Sequence, residues 1–207
     1  MWIAEKTLQK LQPLNNKSPN DRMIRKIENK TELIQNYKSR DGMQSAIFGP
    51  AFWMTIHITS FNYPVEPTEE DKKNYSNWLM SIGKILPCRY CRENFSKNIE
   101  AAGYNYDTCM KSRDSFSKFC YELHDVVNKM LKKTSPPFEE IRSKYELFRA
   151  KCLSKEETNK LNREKKELGC IRPIHSGAKG KCVISIVPQD YSSNHFIVHE
   201  KCKPEPT

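Results

Sequence analysis

The chain has no apolar run near the roughly 20 residues needed to span a bilayer. Its first residues, Met-Trp-Ile-Ala-Glu-Lys, lack the apolar core of a secretory leader. It has no internal repeat, and no basic stripe interleaved with aromatics, which argues against nucleic acid as the partner of its +10 net charge. The lysines and arginines alternate instead with acids, as in Lys155-Glu156-Glu157 and Arg163-Glu164-Lys165-Lys166-Glu167, a pattern of solvated helix faces. What the chain does have is cysteine. Eight cysteines without a visible leader pose a conflict, because disulfides belong to oxidising compartments. Two resolutions exist: the protein makes disulfides itself, or it binds zinc.

Cys88-Arg89-Tyr90-Cys91 is the most informative stretch. It follows Pro87, which needs no helical donor and starts helices well. A helix beginning there would aim its free N–H groups and positive dipole end at a thiolate. Alone, such a pair reads equally as a redox disulfide or as half a zinc site.

Apolar spacing gives the frame. Trp53, Ile56, His57, Ser60 and Phe61 fall on one helical face, and Tyr63-Pro64 ends that helix. Thr68 caps a second helix that carries Tyr75, Trp78, Leu79, Ile82, Ile85 and Leu86 up to Pro87. A third starts at the cysteine pair and fades near Gly103. A fourth follows Ser112 with Phe116, Phe119, Leu123, Val127 and Met130, and a fifth runs from Phe138 to Cys152. The fold class expected is mainly α, a four-helix bundle with a short fifth helix over 47–152. Residues 1–46 read as a polar extension with a weak helical pattern at Met23, Ile27 and Ile34. Residues 153–168 read as a polar linker, helical or a tether. The tail, 169–207, reads as a β-hairpin of Val183–Val187 against Phe196–Val198, turning near Ser192. That register sets Cys182 opposite Cys202, at the separation a disulfide needs, and leaves Cys152 to pair with Cys170.

Around the cysteine pair, Trp53 and His57 lie four residues apart on one helix, as do His124 and Asn128 on another. Each alone is ordinary core material. Together they supply planar faces and polar edges for a flat ring system held between helices. Cys120 falls on an apolar face and reads as a buried thiol. Cys109, in a loop, lacks a neighbouring cysteine to work with.

These residues resemble a known family. Phe48-Gly49-Pro50-Ala51-Phe52-Trp53-Met54-Thr55-Ile56-His57 is similar to the G-x-x-x-W-x-x-x-H opening of the Erv/ALR FAD-linked sulfhydryl oxidases. Tyr63-Pro64-Val65-Glu66-Pro67-Thr68, Leu86-Pro87-Cys88-Arg89-Tyr90-Cys91 and Leu123-His124-Asp125-Val126-Val127-Asn128 resemble its later motifs, in order. Leu86 stands where the family has tyrosine and Asp125 where it has asparagine. The run from Phe138 to Cys152, with Tyr145-Glu146, Arg149-Ala150 and Cys152, looks most like versions encoded by large cytoplasmic DNA viruses.

The resemblance implies non-covalent FAD within the bundle. Its contacts would be Gly49, Trp53, His57, Tyr63, Cys91, His124 and Asn128, with Lys133 a weaker one. It implies that Cys88 takes the substrate thiol, that Cys91 is the flavin-proximal sulfur, and that oxygen is reduced to hydrogen peroxide. It further implies protein thiol substrates, a thioredoxin-like carrier among them, a homodimer, and a place in the infected cell's cytoplasm or the virion, with no membrane and no metal. Two rivals stand beside it. A zinc-binding module would use the tail cysteines with His175, His195 and His199, but the tail has no tight C-x(2–4)-C knuckle. A thioredoxin-like thiol carrier would need βαβ alternation around the cysteine pair, and the flanks are helical.

Overall fold

The caps written into the sequence set where the helices begin. The structure, a computed structural model, describes residues 34–35, 38–163, 169–188, 190–192 and 197–204. The chain divides into two units, residues 1–42 and 43–207. In the first, residues 34–35 and 38–39 are helical; the pattern at Met23 and Ile27 lies outside the described residues.

In the second unit, α1 runs Ser45–Phe61. Helix α2, Glu69–Ile85, opens on a capping box: the Thr68 hydroxyl accepts from Asp71 N–H at 3.1 Å and the Asp71 carboxylate accepts from Thr68 N–H at 2.9 Å. Three acids in its first turn and Lys84 in its last suit the helix dipole. Leu86, which precedes Pro87, turns extended (φ −48°, ψ 131°) and ends the helix. Helix α3, Arg89–Ala101, starts at Cys88 and stops at Gly103, whose φ of 74° glycine adopts without cost. A one-turn helix not expected from the spacing, α4 (Tyr106–Cys109), is nucleated by the Asn105 side chain accepting from Thr108 N–H. Helix α5, Arg113–Met130, opens on a box between Ser112 and Ser115, and α6 spans Phe138–Glu146.

Packing runs α1 on α5 and α6, and α3 on α2 and α5, so α5 is the shared wall. Its apolar stripe fills the core: Phe116, Phe119, Cys120 and Leu123 are buried with Leu79, Ile82, Ile99 and Met110. Each fully buried large side chain contributes about 1.5–3 kcal/mol.

Three expectations change. The fifth helix ends at Glu146 rather than reaching Cys152. The chain leaves as a strand, β1 (Ala150–Lys151), antiparallel to β2 (Arg172–Pro173) with Ala150 opposite Pro173. The small sheet thus lies across the linker, not within 182–202. Second, no described residue of 178–188 or 197–199 is in a strand, and Phe196 lies outside the described residues. Val183, Ile184 and Ile186 remain exposed there, and an isolated two-stranded hairpin with nothing to bury its apolar side chains is marginal. Third, Cys182 and Cys202 are free thiols, so the expected bond between them is not formed. Cys152–Cys170 is a disulfide, as the sequence suggested.

The tail is held by other contacts. Ile174 N–H donates to Arg149 O at 3.1 Å and Ala178 N–H to Lys201 O at 2.6 Å. His175 lies 2.7 Å from Leu147 O. The polar linker is helical over α7, Lys155–Arg163, opened by reciprocal bonds between Ser154 and Glu157. Among the described residues no helix is long and apolar enough to cross a membrane, and no three His, Cys, Asp or Glu side chains converge as a metal site.

Candidate active site

Two features of the bundle carry candidate chemistry. The first is the Cys88–Cys91 disulfide at the start of α3. Cys88 is the N-cap residue, extended at φ −156° and ψ 120°, and its Sγ accepts from Cys91 N–H at 3.2 Å. The loop before it is fixed from both sides. Arg92 donates to Leu86 O at 2.6 Å, and Met43 N–H donates to Pro87 O at 2.6 Å. Both sulfur-bearing residues are half-buried. A thiolate released at Cys88 would keep the Cys91 N–H as donor and face the positive end of α3, the setting that lowers a cysteine's pKa.

Behind the pair, Gly83 of α2 meets Phe95 of α3. A Cβ at Gly83 would lie 2.1 Å from the Phe95 ring, so only glycine lets the two helices close at this point. No spacing rule in the sequence marks this contact.

The second feature is an aromatic and histidine cluster between α1, α5 and α6. The Trp53 indole lies flat on the His124 ring, with centroids 4.0 Å apart and planes 6° apart. His57 Nε2 and His124 Nδ1 are 2.9 Å apart, so one nitrogen donates and the other accepts. They share one proton and cannot both be charged. Burial, then the neighbouring His124, pushes His57 down to about 3; burial, then the Lys133 charge, pushes His124 down to about 4. Both rings are neutral near pH 7. Tyr145, which the sequence offered as a helix position and as part of the 138–152 run, closes the cluster with its ring 5.1 Å from His57, and burial raises its pKa to about 12.

The sequence-derived candidates divide in the structure. Trp53, His57 and His124 come together. Asn128 joins His57 and His124 in lining a cavity of about 40 Å³ and donates to Ser135 Oγ at 3.0 Å. Lys133 follows α5, its N–H bonded to Asn128 O at 2.8 Å. Gly49 lies in α1 with nothing within 4 Å of where a Cβ would stand. Tyr63 is not in the cluster: it is fully buried against Tyr75 and Phe116 and donates to Met110 O at 2.9 Å. Asp125 is ion-paired with Lys129 at 2.7 Å. Cys109 and Cys120 are buried, and burial pushes the Cys120 thiol far up, which makes it inert. The larger cavity, about 310 Å³, lies at the C-terminal end of α1 among Phe61, Val65, Arg113 and Glu146, apart from this chemistry.

The cluster suits a planar heteroaromatic group. His57 Nδ1 is buried without a hydrogen-bond partner, an atom that needs one. It stands beside two further aromatic faces and an amide. The Trp53–His124 stack and the cavity of about 40 Å³ share the His124 ring.

The sequence pattern of the Erv1 / Alr family matches residues 50–146. A putative FAD-linked sulfhydryl oxidase of Invertebrate iridescent virus 6 is 30% identical over 102 residues, covering 48% of this chain and 92% of that protein. The chain belongs to the Erv1 / Alr family. A probable FAD-linked sulfhydryl oxidase of Acanthamoeba polyphaga mimivirus is 34% identical over 85 residues, 41% of this chain and 57% of that one. The mitochondrial FAD-linked sulfhydryl oxidase of Saccharomyces cerevisiae is 28% identical over 105 residues, 51% of this chain and 52% of that one. The chain thus spans little more than half the length of these last two relatives. The family match contains α2, α3 and α5 whole, together with every cluster residue and both cysteines of the pair.

Proposed function

We propose that this chain is an FAD-dependent thiol oxidase that forms disulfides in protein substrates. The observation that carries the proposal is the Cys88–Cys91 disulfide at the N-terminus of α3, inside the Erv1 / Alr match. A substrate thiolate attacks Cys88 Sγ. The Cys88–Cys91 bond breaks, a mixed disulfide forms on Cys88, and Cys91 leaves as a thiolate. A second substrate thiolate attacks the substrate sulfur of the mixed disulfide. Cys88 departs as a thiolate that the Cys91 N–H can stabilise. The substrate has lost two electrons and two protons, and the cysteine pair has gained the two electrons.

FAD, when bound, would supply a two-electron acceptor able to pass those electrons to oxygen as hydrogen peroxide. The residues suited to hold it are Trp53, His57 and His124 through their rings, Asn128 through its amide, and Lys133 through its charge. Gly49 and Cys91 belong to the same set by family likeness. Tyr63 belongs to it by that likeness alone, since its side chain is buried against Tyr75 and Phe116. The neutral histidines leave a ring system uncharged neighbours and one unmet nitrogen, His57 Nδ1.

Residues 47–152 form the oxidase bundle, flanked by the extension 1–46, the linker 153–168 and the tail 169–207. Ile47, Ala51 and Ile58 are exposed along one side of α1, an apolar stripe suited to a second copy in a homodimer. The viral relatives favour a viral protein acting in the infected cell's cytoplasm or in the virion, on oxygen and on protein thiols, a thioredoxin-like carrier among them. Purified protein tests the core of the proposal: it should be yellow, with a flavin absorbance band, and should consume oxygen when given dithiothreitol. A colourless protein inert to thiols would refute it.

A further inference from the structure

The tail holds an apolar run that the fold leaves uncovered. Val183 is 77% exposed, Ile184 72%, Ile186 73% and Val187 41%, and Ser185 between them is exposed too. Among the described residues no backbone hydrogen bond reaches these five, and none of them is in a strand. The run is held at both ends. Before it, Ala178 N–H donates to Lys201 O at 2.6 Å, and Cys202 Sγ lies 3.6 Å from where a Cβ at Gly180 would stand. After it, Tyr191 N–H donates to Pro188 O at 3.0 Å and turns the chain. Consecutive β-branched residues whose N–H and C=O groups face water are a strand that lacks a neighbour. The candidate within the chain does not fill that place: Ile197 is 74% exposed, and residues 197–199 are not in a strand.

The order of the five residues points to what pairs with them. Val183-Ile184-Ser185-Ile186-Val187 reads the same in both directions. Antiparallel pairing reverses one strand, so a run of this kind matches its own copy residue for residue. We infer that it pairs with the same run of a second copy of this chain, antiparallel, about a two-fold axis at Ser185. Val183 then faces Val187 of the second copy, Ile184 faces its Ile186, and Ser185 faces its Ser185. Cross-strand pairs of β-branched residues stabilise such ladders. Alternation puts the isoleucines of both copies on one face of the ribbon and the valines and serines on the other. Pro188, which has no N–H to give, ends the ladder beside the last valine. A foreign strand gains nothing from this symmetry. The contact is separate from the α1 stripe, and it does not rest on the oxidase reading.

The test uses the full chain with Cys182→Ser/Cys202→Ser, which leaves both disulfides in place. Ser185→Cys is added in one protein and Val183→Cys in another, and each is oxidised with diamide. In the proposed pair, residue 185 faces its own copy at a Cα separation of about 4.5–5.5 Å, within reach of a disulfide. Residue 183 is offset from its own copy by four strand positions, about 14 Å, and is out of reach. The expected result is a covalent dimer that forms roughly tenfold faster from Ser185→Cys than from Val183→Cys, with peptide mapping locating the bond at 185. Adding Ile184→Lys/Ile186→Lys to the Ser185→Cys protein should abolish that bond, because like charges then face each other. Mixing it with a Ser185→Cys protein carrying Ile184→Glu/Ile186→Glu should restore the bond, since opposite charges now meet. Equal rates at 183 and 185 would mean that the copies meet elsewhere, as through α1, and would overturn the inference. The absence of a covalent dimer at 185, or a 185 bond that survives the lysine substitutions, would overturn it as well.

Discussion

Phe95 fills the space where Gly83 has no side chain: a Cβ there would lie 2.1 Å from the ring. Phe95 stands one turn after Cys91, so this contact sets how α3 presents the cysteine pair. Gly83→Ala should destabilise the bundle by about 1–3 kcal/mol, the usual cost of overpacking, despite alanine's better helix propensity. It should also shift the reduction potential of Cys88–Cys91. Thermal unfolding and thiol–disulfide equilibration against glutathione check both. Wild-type values in each would show that α3 is positioned some other way.

Gly49 makes the opposite case. Open space surrounds it in α1, so Gly49→Ala should raise stability by up to about 1 kcal/mol. If Gly49 also approaches the flavin, the same substitution should lower the flavin-to-protein ratio. A stabilised protein with full flavin content would remove Gly49 from the cofactor set.

The neutral histidine pair predicts a pH dependence. Both folded pKa values, about 3 for His57 and about 4 for His124, lie below the ordinary 6.5. The unfolded chain therefore binds more protons below about pH 6.5. The stabilisation is fully present above that value and is lost as pH falls toward 4, at up to about 1.4 kcal/mol per pH unit for each ring. Urea midpoints should fall between about pH 7.5 and about pH 5, and fall less in His57→Leu. The same slope in both proteins would place the titration elsewhere.

The tail's anchoring is also testable. Cys152–Cys170 closes a loop of 18 residues, worth about 3 kcal/mol to the tethered segment in the chain-entropy picture. Non-reducing peptide mapping should find the 88–91 and 152–170 bonds and alkylated Cys182 and Cys202. In Cys170→Ala, amide exchange should rise around β2 and His175 while the bundle stays protected. A bond between Cys182 and Cys202, or four free thiols with stoichiometric zinc, would contradict this arrangement.

The sequence and the structure agree where one local signal suffices. Thr68 with Asp71, Ser112, Pro87 and Gly103 mark helix ends that the chain obeys. Helical spacing alone put Trp53 with His57 and His124 with Asn128. The relationships that needed three dimensions were not legible. Tyr145 reads as one more apolar position until α6 folds onto α1 and brings its ring to His57. Gly83 carries no signal in the sequence until Phe95 crosses it. The tail misled for a physical reason. β-branched residues from Val183 to Val187 signal a strand, but a strand needs a partner face, and the pairing went to Ala150–Lys151 and Arg172–Pro173, beside the Cys152–Cys170 bond.

The most direct test of the oxidase is oxygen uptake with dithiothreitol by wild type, Cys88→Ala and Cys91→Ala, measured alongside peroxide and flavin content. The predicted result is uptake matched by peroxide in the wild type, and loss of at least a hundredfold in each variant with flavin still bound in Cys88→Ala. Uptake at the wild-type rate in either variant would contradict the assignment of the reaction to the Cys88–Cys91 pair.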